Sequence, residues 1–142
     1  MKKHNQLIDI YTFPGFKPQK EITGKFGDPK AIVIRLNRVK KTICPICLKA
    51  CKDIYDGKIS LVRDIPCGDN RVYLAVEIRR VNCKDCQKVS QEKISFLSVN
   101  PAYTERFYSY LGQRCRKESI TDVAKELKLN LKTVKELSLI HI

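Results

Sequence analysis

The sequence predicts an α+β protein in which a small antiparallel sheet comes first and a helical segment follows. Three observations carry this. β-branched residues alternate with polar ones in several stretches before residue 82. Five of the six glycines and five of the six prolines stand before residue 101. From Pro101 onward, apolar residues recur at helical spacing.

The first strand is read over residues 31–39 and ends in the basic stretch 38–41. The second covers 58–65 and stops at Pro66. In the third, 71–81, period-2 alternation puts Val72, Leu74, Val76 and Ile78 on one face. Between the last two, Cys67-Gly-Asp-Asn reads as a turn, which makes them a hairpin. Residues 12–30, with Pro14, Gly15, Pro18, Gly24, Gly27 and Pro29, read as an irregular arm.

Past Pro101, Tyr103, Phe107, Tyr110 and Leu111 mark an amphipathic helix over 103–116, its aromatic stripe read as core rather than as a stacking platform. Ser119 followed three residues later by Asp122 fits a capping box, and the helix it opens carries Ile120, Val123, Ala124 and Leu127 on one face. Asn130 can cap a third helix. Two helices joined by a short turn, with the small Ala124 at the close approach, form the helix-turn-helix pattern. Its second helix presents Lys132, Thr133, Lys135 and Glu136 to a DNA major groove. Lys128 stands where a tight turn favours Gly, so a looser turn is expected.

The 142 residues hold 28 Lys and Arg against 15 Asp and Glu, a net charge of +13. Both regions share it, +10 over residues 1–101 and +3 over 102–142. At 43% hydrophobic the chain is too apolar for a disordered tail. Such a charge repels itself unless a polyanion is the partner, and double-stranded DNA is the polyanion expected here. The apolar runs fall far short of the roughly 20 residues that span a bilayer, and no secretory signal is visible. A membrane role is excluded, and a cytoplasmic, DNA-associated location is expected.

Seven cysteines without an export signal point to thiols or metal ligands, not to a disulfide framework. Cys44-Pro-Ile-Cys47 and Cys83-Lys-Asp-Cys86 supply four thiolates in two tight knuckles. Thiolates are soft enough to select zinc, and four of them leave no open position for a catalytic water, so the zinc is structural. A disulfide oxidoreductase would place such a pair at a helix N-terminus, which neither pair occupies. Cys51 could replace Cys47 in the ligand set. Cys67 and Cys115 are read as incidental, and His4 as an exposed arm residue.

In order, Cys44-Pro-Ile-Cys47, Arg63-Asp64-Ile65-Pro66, the run from Val72 to Arg80, Cys83-Lys-Asp-Cys86 and the helices holding Val123-Ala124 and Thr133-Val134 resemble the N-terminal part of insertion-sequence ISL-three family transposases. The resemblance covers about residues 31–136. It implies an N-terminal zinc ribbon, a helix-turn-helix, then a large RNase-H-like catalytic domain whose acidic triad binds divalent metal. Such enzymes cut and join DNA at terminal inverted repeats, and a homo-oligomer is expected of the full-length protein. Two departures stand out. Leu48 and Gln87 follow the knuckles where Gly is usual, and no residue matches the catalytic carboxylates, so no catalytic residue is assigned and the chain itself is expected not to be an enzyme.

The expected organisation is an arm over 1–30, a zinc ribbon over 31–100, a helix-turn-helix over 101–136 and a tail over 137–142. That tail resembles a translated sequencing-library adapter, so it is expected to be non-native, the chain a truncated fragment and His141 without a role. Arg63, Arg79, Arg80 and Lys84 are expected on phosphates, which position without reading sequence. Lys132, Thr133 and Lys135 are expected on bases. Two other readings stay open: a stand-alone DNA-binding regulator, and a zinc-ribbon module that binds protein or RNA.

Overall fold

Strand β4 (Asn70–Cys83) organises the sheet, and its alternation explains why. Val72, Leu74 and Val76 are wholly buried on one face, with Ile78 packed against the same cluster, as the period predicts. The computed structural model describes residues 7–98 and 100–140, and the side chains of 8–98 and 100–136. His4, His141 and Ile142 lie outside the described residues.

Strand β3 (Ile54–Cys67) runs antiparallel to β4, with Gly68 at φ 60° in the tight turn between them, where a side chain would be strained. On the other edge of β4, β2 (Asp28–Arg38) pairs with the first half and β5 (Lys88–Gln91) with the second. β1 (Phe16–Lys25) completes the order β1-β2-β4-β3. The sheet is mixed rather than antiparallel, because β2 and β4 run parallel from Ala31↔Arg71 to Arg35↔Ala75. Each belongs to its own hairpin, and the long connection 39–53 returns the chain so that the two hairpins join side by side.

The arm expected over 12–30 is largely a strand. β1 pairs with β2, and its register breaks between Pro18 and Ile22, where a proline can stand at a sheet edge. One face of the sheet is covered by a short 3₁₀ helix (Leu7–Tyr11) and the segment 92–98. Tyr11, Phe13, Phe16 and Phe96 pack there on Ile34, Leu36, Val62 and Leu74, with the Phe13 and Phe96 rings stacked 4.3 Å apart. Arg38 clamps the covering segment through a two-point bond to the buried Glu92 carboxylate (2.7 and 2.5 Å), which also accepts the Arg79 N–H.

Three helices follow: α1 (Glu105–Lys117), α2 (Ile120–Leu127) and α3 (Leu131–Ile140). Each starts at a side-chain cap. The Thr104 hydroxyl accepts from the Phe107 N–H, Ser119 from the Asp122 N–H and Asn130 from the Lys132 N–H. Phe107, Leu111, Val123, Leu127 and Val134 form the core between them. The turn after α2 is not loosened. Lys128 itself takes the left-handed conformation (φ 56°, ψ 49°), and the Leu129 N–H closes on the Ala124 carbonyl at 2.9 Å. α3 continues through residues 137–140 of the expected tail.

The helices dock on β3 through two consecutive residues that point to opposite faces. Asp64 accepts from the Thr104 hydroxyl and from Arg106. Arg63 donates to the Leu127 carbonyl at the end of α2. No described helix is long and apolar enough to cross a membrane.

Candidate metal centre and the basic residues around it

Both cysteine pairs sit at hairpin tips. In the first, Ile43 bridges Ala50, the Leu48 N–H donates to the Cys44 carbonyl (3.0 Å) and the Cys51 N–H to the Thr42 carbonyl (2.8 Å). In the second, β4 ends at Cys83, which pairs with Lys88 at the start of β5. Leu48 and Gln87, the residues after each pair, have φ of 61° and 51°. The knuckle turn therefore needs the left-handed conformation at that position, and two non-glycine residues adopt it.

Strand pairing brings the two tips together. The Cys44 and Cys86 sulfurs are 3.8 Å apart and those of Cys47 and Cys83 3.7 Å, with all four within 4.8 Å of one another. A tetrahedral ion with Zn–S bonds of about 2.3 Å sets its sulfurs about 3.8 Å apart, so the cage has zinc dimensions. Cys44 and Cys83 are buried over the wholly buried Val81.

The electrostatics ask for a cation. The Cys47 and Ile46 N–H groups pull the Cys44 thiol down to about 7, a thiolate-favouring setting. Burial and then the neighbouring sulfurs of Cys83, Cys44 and Cys47 push Cys86 up to about 12. Four crowded sulfurs cannot all shed protons into a half-buried site without positive charge between them, and a divalent ion supplies it. Cys44, Cys47, Cys83 and Cys86 form a cage fit to hold a structural zinc ion. Cys51 does not replace Cys47: its sulfur lies against the Asp53 and Asn82 carbonyls, at 3.7 and 3.9 Å. Neither pair stands at a helix N-terminus, the setting that a redox pair needs.

The basic residues divide into three groups. Arg63 is 4% exposed, so the expected phosphate contact is corrected. Its guanidinium lies between the Tyr73 and Phe107 rings (5.3 and 5.4 Å) and donates to the Leu127 carbonyl at 2.5 Å. Burial pulls its pKa down, yet an arginine stays charged there. It completes the C-terminus of α2, where an unpaired carbonyl and the helix dipole both favour a cation.

Arg79, Arg80 and Lys84 reach the surface already partnered by carboxylates. Arg79 donates to Glu77 (2.6 Å) and to the Thr42 hydroxyl (3.2 Å). Arg80 makes a two-point pair with Asp56 and stacks over Tyr55 at 5.0 Å. Lys84, on the second knuckle, is 3.5 Å from Asp53. On α3, Lys132 and Lys135 are exposed and Thr133 is half-buried, while Val134 between them faces the helical core.

The sequence reading gave no structural role to Asp64 or Arg106, which bind each other in the fold. An adjacent Arg-Asp pair in a strand was a usable signal. Neighbours in a strand face opposite ways, so both faces had to offer a polar partner at that point.

The family model for the zinc-finger of transposase IS204/IS1001/IS1096/IS1165 matches residues 40–86, which contain all four ligands. The transposase for insertion sequence element IS1001 of Bordetella parapertussis is 29% identical over 98 residues, 69% of this chain and 24% of that protein. The chain thus spans about a quarter of the length of the curated relative that it matches. No solved structure matches the chain. The expected resemblance to the N-terminal part of such transposases is borne out.

Proposed function

We propose that this chain is the DNA-binding N-terminal region of an insertion-sequence transposase and recognises the terminal inverted repeats of its element. The observation that carries the reading is the four-sulfur cage built from the residues that match the transposase zinc-finger model. Residues 31–100 act as the zinc ribbon and 101–136 as a helix-turn-helix. Among the described residues, the cysteine cage is the only grouping fit to hold a metal. The chain spans 24% of the matched transposase, and the proposal places cutting and joining in a separate catalytic domain with an acidic triad, with recognition in this region.

Side-chain exposure supports the following division of labour. α3 enters the major groove with Lys132 and Lys135 toward base edges and Thr133 alongside, held at the correct depth by Val134. Arg79, Arg80 and Lys84 exchange their carboxylate partners for phosphates, which positions the duplex. Arg63 fixes α2, and with it the groove-facing helix, to the sheet.

The test is selection of the zinc-loaded chain on a random duplex library, followed by competition with single-stranded RNA. Enrichment of a sequence found at both ends of the element supports the proposal. Enrichment of an unrelated duplex sequence favours a stand-alone regulator. Equal competition by RNA, or affinity that does not fall with salt, overturns DNA recognition.

A further inference from the structure

β3 is an edge strand with one side covered by β4 from Ile54 to Cys67. Its other side is met at Arg63, whose N–H donates to the Ala102 carbonyl (2.8 Å) and whose carbonyl accepts the Thr104 N–H (3.1 Å). The register with β4 runs unbroken from Asp56↔Arg80 to Asp64↔Val72. Backbone direction alternates along a strand, so Gly57, Ile59 and Leu61 turn their N–H and C=O groups the same way as Arg63, outward. Beside them stand large exposed apolar side chains: Tyr55 is 59% exposed, Ile59 53% and Leu61 44%. A long edge of this kind is a template for another strand.

We infer that this edge pairs, antiparallel, with the same edge of a second copy of the chain about a two-fold axis at Gly57. In a two-fold contact every pair occurs twice. Here Asp56 of each copy faces Lys58 of the other, and Tyr55 faces Ile59. The register is selected by charge. Outward groups meet outward groups only with the axis on a whole residue, and moving it to Lys58 or to Asp56 sets like charges opposite each other. Moving it on to Ile59 or Leu61 drives the second strand into the segment 102–104 already bonded at Arg63. With the axis at Gly57 the pairing spans residues 54–60, from the start of β3, and ends before that segment. A Cβ at Gly57 would lie 3.3 Å from the Arg79 side chain, so this position is already crowded by the neighbouring strand.

This association does not rest on the DNA-binding proposal and is measured without DNA. Sedimentation of the zinc-loaded chain over a concentration series should show a reversible dimer. Lys58 enters none of the ion pairs among the described residues. Lys58→Asp should therefore keep zinc content and unfolding midpoint while weakening self-association roughly tenfold or more. Asp56→Lys should weaken it too, and an equimolar mixture of the two variants should dimerise again because opposite charges then meet at both positions. A wild-type chain that stays monomeric overturns the inference, as does a Lys58→Asp chain that dimerises unchanged.

Discussion

The Asp64 carboxylate, wholly buried, accepts two hydrogen bonds from Arg106 (2.8 and 2.5 Å) and a third from the Thr104 hydroxyl (2.7 Å). Thr104 is also the N-cap of α1, so one strand residue fixes where the helical segment begins and how it meets the sheet. Asp64→Ala leaves a third-exposed guanidinium and a buried hydroxyl without their acceptor. Removing one member of a buried pair costs about 3–5 kcal/mol, and the exposure of Arg106 places this case near 3 kcal/mol. Urea unfolding of the zinc-loaded chain measures it, and a loss below about 1 kcal/mol would show that the helices are held mainly by their apolar contacts.

Zinc content separates the ligands from the bystander. Cys47→Ser and Cys83→Ser should each abolish stoichiometric zinc and unfold the sheet end built on the cage, since structural zinc is worth on the order of 10 kcal/mol or more. Cys51→Ser should retain one zinc per chain, because the Cys51 sulfur faces backbone carbonyls outside the cage. Metal analysis of the purified variants decides it. Loss of zinc from the Cys51 variant would return that residue to the ligand set.

The parts that could be read from sequence are those set by short-range spacing. The two Cys-x-x-Cys pairs, the alternation of β4 and the caps Ser119 and Asn130 are local patterns, and each stands where its spacing puts it. β1 was hidden because Pro18 and Gly24 break its pattern and most of its residues are exposed, as an edge strand allows. β5 is four residues long and leaves no period to detect. Arg63 was misplaced for a different reason. Charge is visible in sequence, but the rings and the helix end that cover this arginine arrive from residues 73, 107 and 127.

That burial changes what a mutation of Arg63 should do to DNA binding. Arg63→Met should weaken affinity through loss of the α2 terminus and destabilise by about 1–3 kcal/mol. It should leave the salt dependence unchanged, because no phosphate contact is removed. Lys84→Ala, at an exposed position on the second knuckle, should lower the slope of log affinity against log salt by about 0.9, one phosphate's worth. Titrations at several salt concentrations distinguish the two. A reduced slope in the Arg63 variant would place its guanidinium on DNA after all.

Tyr11 gives the fold a sensitivity to alkali. Burial, reinforced by Cys67 and Asp64, raises its pKa from 10.0 to about 12. The folded state therefore holds the phenol proton more tightly than the unfolded chain does. Its contribution is complete below about pH 10 and is lost progressively as pH rises toward 12. Unfolding midpoints measured across that window should fall for the wild type, and part of the fall should vanish in Tyr11→Phe. Identical slopes in the two proteins would remove Tyr11 as the source.

Leu48 and Gln87 offer a gain in stability rather than a loss. Both hold a left-handed backbone immediately after a ligand, at φ 61° and 51°. Such a conformation costs a residue with a Cβ roughly 1–2 kcal/mol, and glycine avoids that cost while losing some chain entropy. The Leu48 side chain is 57% exposed, so little packing is given up. Leu48→Gly and Gln87→Gly should each stabilise the zinc-bound fold by about 0.5–1 kcal/mol. Because the turn and the ion fold together, the same variants should resist a competing chelator a few-fold better. The sites lie on separate hairpins, but they share one ion, so the double variant should depart from additivity. Chelator titration of the two single variants and the double one measures this. A weaker hold on zinc in either single variant would mean that the exposed side chain shields the cage, and that its burial of the sulfurs outweighs the backbone strain.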